Sequence, residues 1–253
     1  MKPERILIIA GSDSGGGAGI QADIRTVTLL GGHAMTAVTA ITAQNTLGVQ
    51  GVHAVPAAMV VQQMDSVIGD IGVDAVKIGM IGSAETAEAV ADRLAQLADV
   101  PIIFDPVMVA TSGSVLADEA TIAAFERLMA LATLVTPNIP ELEALGGEEI
   151  AIRFDTHVLA KGGHGEGAML TDRLIGPRGL VKSWSNARIE TIHTHGTGCT
   201  LASAIATQLG QGRNLIKGIG FARKFVREAL TLAPGLGQGH GPMGAPFGFH
   251  LHA

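Results

Sequence analysis

The chain has 253 residues, 47% hydrophobic and 16% charged, with 17 Lys and Arg against 23 Asp and Glu for a formal net charge of −6. This balance gives no basic footprint for nucleic acid or an anionic membrane, and one cysteine excludes an intramolecular disulfide and suits a reducing, cytoplasmic compartment. Glycine, at 34 residues, is about twice as frequent as its usual ~7%, and Tyr is absent, so close backbone approaches are expected to be common and aromatic stacking rare.

Ile6–Ala10 predicts a buried strand; it falls short of the ~18 apolar residues of a membrane span, and it runs into Gly11–Gly17 instead of a signal-peptide cleavage site. Further strands are predicted at Ala34–Thr42 and Ala75–Ile78, separated by a helix on which Val60, Met64, Val67, Ile68 and Ile71 recur at helical spacing. Ala87, Val90, Leu94 and Leu97 predict a second helix, followed by a strand at Ile102–Phe104. Ile122, Phe125, Met129 and Ala132 predict a third, opened by Asp118 and Glu119 at the positive end of its dipole. Strands follow at Leu134–Thr136, Val158–Ala160 and Ala168–Thr171, then a helix of small residues through Leu201–Ala206. From Pro234 the tail is turn-rich and reads as loosely packed or as a short closing strand. Short apolar runs alternating with helical-period segments are the pattern of parallel βαβ units. With no Pro- and Ser-rich linker and no repeat, residues 1–253 read as one α/β domain.

Ligands of open α/β sheets bind beyond the carboxyl ends of the strands, and the unusual polar clusters fall there. They are Gly11–Gly19, Lys77–Met80, Asp105–Met108, Thr136–Glu141, Lys161–His164 and His193–Thr200. Gly17-Ala18-Gly19-Ile20-Gln21-Ala22 satisfies the dinucleotide pattern G-x-G-x-x-A, but residues 24 to 64 lack the acidic residue that such a site needs about 20 positions on. No Walker sequence occurs either. A flexible turn needing positive φ is the alternative account of this loop.

Gly196-Thr197-Gly198-Cys199 opens a helix, so free N–H groups and the helix dipole converge there as an anion hole. At that position Cys199 is expected to have a lowered pKa and to act as a thiolate base toward a substrate hydroxyl; a small buried cysteine beside a tight turn is the alternative. Asp105 and Glu141 are candidate Mg²⁺ ligands around transferred phosphates, and otherwise a turn carboxylate and a first-turn helix charge. Asn138 assists or caps a helix, and Lys161 reaches a phosphate or is merely solvated. Their joint placement points to phosphoryl transfer. The spacing of His193, His195 and Cys199 matches no strong zinc pattern.

The ordered set Ala10–Asp23, Ala43-Gln44-Asn45-Thr46, Lys77-Ile78-Gly79-Met80, Asp105-Pro106-Val107-Met108, Thr136-Pro137-Asn138-x-Pro140-Glu141, Lys161-Gly162-Gly163-His164 and His195–Thr200 resembles the hydroxymethylpyrimidine/phosphomethylpyrimidine kinases of thiamine biosynthesis, within the ribokinase-like family. The resemblance spans nearly the whole chain and implies a three-layer α/β/α sandwich with a central, mostly parallel sheet. It implies that Gly11, Asp23, Gln44, Met80 and Val107 surround a pyrimidine, with Asp23 holding the substrate hydroxyl and Gln44 pairing with the aminopyrimidine edge. It implies that Asp105, Asn138, Glu141, Lys161 and Thr197 face ATP and Mg²⁺, with Asp105 and Glu141 at the metal. Gly196, Thr197, Gly198 and Cys199 would form the catalytic anion hole, Cys199 standing where related kinases carry an Asp base. Two successive ATP-dependent phosphorylations are implied, and by analogy a homodimer. Pyridoxal kinase and a non-catalytic pyrimidine-binding protein are the alternatives. One departure stands out: Glu148–Thr156 leaves no room for the helix the family usually has there, so an apolar face near Lys161 is expected to be exposed unless another element or a second copy covers it.

Overall fold

Along β1 (Arg5–Asp13) successive side chains point to opposite faces: Ile6, Ile8 and Ala10 enter one apolar core, Leu7 and Ile9 the other. A strand buried on both sides must lie within a sheet covered by helices on each face. The computed structural model, which describes residues 2–110, 113–164 and 167–247, has this arrangement. The remaining positions of the expected 1–253 domain lie outside the described residues.

One sheet has the order β3 (Gly48–Ala54), β2 (His33–Asn45), β1, β4 (Ala75–Ile78), β5 (Ile102–Phe104), β6 (Leu134–Val135), β7 (His157–Ala160), β8 (Met169–Gly176), β9 (Gly179–Ala187). β1 pairs in parallel with β2 and β4, and β5, β6 and β7 continue in parallel. The edges are antiparallel, with β3 folding back on β2, and β8 and β9 extending the other side. From β1 the chain passes through α1 (Gly19–Leu29) to one side and then through α2 (Ala57–Asp70) to β4 on the other. The switch point of the doubly wound sheet therefore lies between β1 and β4, where such folds bind ligands.

α1, α7 (Thr197–Gly210) and α8 (Leu215–Thr231) cover the face that receives Ile6 and Ile8. α2, α3 (Ala84–Leu94), α4 (Glu119–Leu131), α5 (Ile139–Ala144) and α6 (Ile150–Arg153) cover the face that receives Leu7 and Ile9. These are the three layers expected. α8 obeys the same rule as the other helices, with Ile219, Ala222, Phe225 and Ala229 buried at helical spacing, and with α1, β3 and β9 it adds to the elements anticipated.

The segment before Lys161 holds no full helix, as expected, but the expected uncovered apolar face is corrected. A 3₁₀ turn at Gly147–Glu149 runs into α6, Ile150 and Ala151 are buried, and Phe154 packs on the same core as Val158, Ala160 and Ile175. A single turn suffices because only a short stretch of β7 needs cover. Residues 242–244 of the tail are held against the domain: Pro242 bridges to His195, Met243 is buried, and Gly244 N–H donates to Ala229 O at 2.9 Å.

Candidate active site

β1 ends in Asp13, and that carboxylate shapes the first glycine loop. It accepts the N–H groups of Gly15, Gly17 and Ala18 at 2.8, 3.0 and 2.8 Å. Convergent N–H groups of this kind make an anion nest, and here the chain's own carboxylate fills it. His195 Nε2 lies 2.8 Å from Asp13 Oδ2, with Gln44 Nε2 3.4 Å from the same nitrogen. Burial pushes the Asp13 carboxyl up, but His195 and the N–H groups of Ala18 and Gly15 outweigh it and leave it below its ordinary value.

The second glycine cluster docks on the first. Gly196 has φ +86°, and a Cβ there would come within 2.0 Å of Gly17 O, so only glycine fits. A Cβ on Gly198, in the first turn of α7, would lie 3.1 Å from Asp105 Oδ2 and 3.3 Å from Lys161 Nζ. Lys161 Nζ is 2.8 Å from Asp105 Oδ1, which also accepts from Thr136 Oγ1 at 2.9 Å. Groups following β5, β6 and β7 thus meet at the positive end of α7.

The charges there are tightly linked. Burial opposes ionisation of Asp105, yet Lys161 and Lys77 hold its carboxyl below the ordinary value. Burial likewise opposes the Lys161 cation, and Asp105 and Glu141 raise it regardless. Glu141 goes the other way: burial and the neighbouring Asp105 push it up against the pull of Lys161. Asn138 and Glu141 form a capping box at the start of α5, Glu141 N–H donating to Asn138 Oδ1 at 2.9 Å and Asn138 N–H to Glu141 Oε2 at 2.8 Å. Both therefore fill the helix-terminal roles weighed from the sequence.

Two expectations are corrected. Asp23 does not face a substrate hydroxyl: it is 0% exposed, with Oδ2 on Lys77 Nζ at 2.8 Å and Oδ1 on Ser203 Oγ at 2.7 Å. Cys199 is not a lowered thiol, because burial, followed by Asp23 and Asp105, outweighs Lys77 and pushes it up to about 11. The site is rich in carboxylates as well as helix N–H groups, and desolvation disfavours a thiolate. Among the described residues no group of three His, Cys, Asp or Glu side chains is placed to ligate a metal ion.

At the ends of β1, β2, β4 and β5 stand Gly11, Gln44, Met80 and Val107. A Cβ on Gly11 would meet Met80 Sδ at 3.0 Å, so the missing side chain makes room for that thioether. Gln44 Oε1 accepts from Thr42 Oγ1 at 3.1 Å, while Met80 and Val107 remain partly accessible.

The model of the phosphomethylpyrimidine kinase family matches residues 13–244. The chain belongs to the phosphomethylpyrimidine kinase family. It is 48% identical to the thiamine biosynthesis bifunctional protein ThiED of Geobacter sulfurreducens, over 94% of this chain and 51% of that one. It is 45% identical to the hydroxymethylpyrimidine/phosphomethylpyrimidine kinase of Rhizobium meliloti, over 94% and 95%. The chain spans a third to a half of the length of the ThiED relatives it matches. Among solved structures, an ADP complex of Bacillus subtilis pyridoxal kinase superposes with a TM-score of 0.87 at 30% identity, covering 97% of this chain and 98% of that one. A phosphomethylpyrimidine kinase from Clostridium difficile superposes with a TM-score of 0.76 at 34% identity, covering 89% and 99%. These likenesses bear out the ribokinase-like sandwich.

In this member of the phosphomethylpyrimidine kinase family, Asp105, Asn138, Glu141, Lys161 and Gly196–Cys199 come together, and Gly11, Gln44, Met80 and Val107 lie at neighbouring strand ends. Sequence alone assigns no site role to Asp13, Lys77, Thr136 or Ser203 and weighs His195 only as a metal ligand, yet each is buried and bonded to a site element. An Asp two positions before a glycine run, and a Lys within an otherwise apolar strand, are the signals that mark Asp13 and Lys77.

Proposed function

We propose that the protein transfers the γ-phosphoryl group of ATP to the hydroxymethyl group of an aminopyrimidine, and then a second phosphoryl group to the monophosphate so formed, in thiamine biosynthesis. The observation that carries this reading is the meeting of Lys161, Asp105 and Gly198 at the start of α7. There a cation and helix N–H groups face one point, which is what a transferring phosphoryl group needs. Catalysis is then mainly positioning and charge stabilisation.

Gly11, Gln44, Met80 and Val107 are assigned to the pyrimidine, the Gln44 amide supplying both a donor and an acceptor for its edge. Gly196, Thr197 and Gly198 are assigned to the transferred group, with Lys161 and Asn138 on the nucleotide side. Mg²⁺ takes one or two carboxylates together with phosphate oxygens and water. Asp105 and Glu141, which repel each other across the site, fit an ion that arrives with the nucleotide. When bound, Mg²⁺ would neutralise charge developing on the phosphates. Cytoplasmic residence and a homodimer accompany this reading; among the described residues no helix is long and apolar enough to cross a membrane.

A second reading is favoured by one observation: the pyridoxal kinase from Staphylococcus aureus in complex with pyridoxal superposes with a TM-score of 0.88 at 26% identity. Pyridoxal is also an aromatic heterocycle bearing a hydroxymethyl group. The deciding experiment is ADP release from Mg-ATP with hydroxymethylpyrimidine, beside pyridoxal and an acceptor-free blank. Release with the pyrimidine is expected; a clear preference for pyridoxal overturns the substrate, and silence with both overturns the kinase.

A further inference from the structure

The loop that carries Lys161 is held from behind by residues with no part in the site described above. Lys161 N–H donates to Pro137 O at 3.0 Å, and the next donor, Gly162 N–H, goes to Asp172 Oδ1 at 2.8 Å. Both amides flanking the Lys161 carbon skeleton are therefore anchored, one to the loop after β6 and one to β8. A Cβ on Gly162 would come within 2.2 Å of Thr171 O, so the loop backbone lies directly on β8. The other oxygen of Asp172 accepts from Arg223 Nε of α8 at 2.6 Å. Arg223 also donates through Nη2 to Trp184 O of β9 at 3.3 Å, and its guanidinium stands 5.7 Å from the Trp184 ring. The ion pair is largely enclosed, with side chains 11% and 17% exposed.

α8 is already fixed to the sheet by Ile219, Ala222 and Phe225. Its packing does not require a link to the Gly162 amide, whereas the direction of the Lys161 side chain does depend on the peptide that follows it. We propose that Asp172 and Arg223 are positioning residues for the nucleotide phosphates: Arg223 fixes the Asp172 carboxylate, which fixes the Lys161–Gly162 peptide and so aims Lys161 Nζ at Asp105 and the start of α7. The inference rests on the phosphoryl-transfer reading of that site. A charge-assisted bond to a rigid guanidinium fork suits the task, because Arg223 holds Asp172 and the Trp184 carbonyl in one fixed plane, whereas a lysine offers a point charge on a flexible stem without that geometry.

The test compares Arg223→Ala, Arg223→Lys and Asp172→Asn with the unaltered protein. Three quantities are read: steady-state ADP release, Mg-ADP affinity by calorimetry, and melting temperature. Misplacement of a phosphate-binding group by a fraction of an ångström is costly, so Arg223→Ala is expected to lower kcat/KM for ATP and ADP affinity about tenfold, with KM for the pyrimidine unchanged. Arg223→Lys is expected to recover part of the loss. Asp172→Asn, which keeps an acceptor for Gly162, is expected to lose about threefold and carries the test should Arg223→Ala not fold. Lower melting temperatures with unchanged nucleotide constants overturn the proposal. If the unaltered protein releases no ADP the kinase reading fails, while the ADP titration still reports whether Arg223 acts on the loop.

Discussion

His195 Nε2 sits 2.8 Å from Asp13 Oδ2, a contact between residues 182 positions apart that ties the loop after β1 to the loop before α7. Around it the N–H groups of Gly15, Gly17 and Ala18 all point to the same carboxylate. Leaving buried donors unsatisfied costs ~1–3 kcal/mol each, so Asp13→Ala is expected to lose about 2–4 kcal/mol in urea denaturation. Asp13→Asn keeps an acceptor and is expected to lose less. The folded carboxyl is held below its ordinary value, so its contribution is present above the unfolded carboxylate pKa of ~3.9 and is lost as pH falls through the lower folded value. The stability gap between the unaltered protein and Asp13→Asn should accordingly be constant near neutrality and close in acid below about pH 4. A gap that persists unchanged into strong acid refutes the ionic account.

Much of this arrangement was legible before the structure, because it depends on short-range rules. Ala75–Ile78 and Ile102–Phe104 are strands with the expected bounds, since each is a wholly apolar or buried run between turn residues. Gly196 and Gly198 stand out as glycines before a helix of small residues. Other features were hidden for identifiable reasons. β3 and β9 are exposed edge strands whose polar and glycine residues break any alternation. Asp23 and Lys77 are charged residues in wholly buried positions, and only the fold reveals that they neutralise each other. For Cys199 the helix-end argument fails because it counts the dipole and omits the loss of water, Asp23 and Asp105.

The Lys77–Asp23 pair lies beneath the start of α7 and is 0% exposed at both side chains. A charge left alone in such a place costs several kcal/mol, whereas removing both partners together is often nearly neutral. Lys77→Met alone is expected to destabilise by about 3–5 kcal/mol, and Lys77→Met with Asp23→Leu to regain most of that loss. A denaturation double-mutant cycle measures the coupling; additive losses would show that the two charges do not depend on one another.

Cys199 carries a thiol pushed up to about 11, so its alkylation by iodoacetamide should climb about tenfold per pH unit from pH 7 to 10 and level off only near 11. A plateau near neutrality would mean that the α7 N-terminus dominates after all. The same titration bears on the reaction. If Cys199 accepts the proton of the alcohol, phosphorylation of the hydroxymethyl group should rise over this range, and Cys199→Ala should both slow that step and flatten its profile. The monophosphate already carries about −1.5 to −2 charge and needs little base assistance, so its phosphorylation should be flat with pH and little altered in Cys199→Ala. Lys161→Ala should instead slow both steps, because Lys161, which lies beside Asp105 and Gly198, is proposed to serve the phosphate site that both steps share. Rapid-quench measurement of the two acceptors at pH 7, 8, 9 and 10 separates these outcomes, and equal losses for both acceptors in Cys199→Ala would remove the thiol from proton transfer.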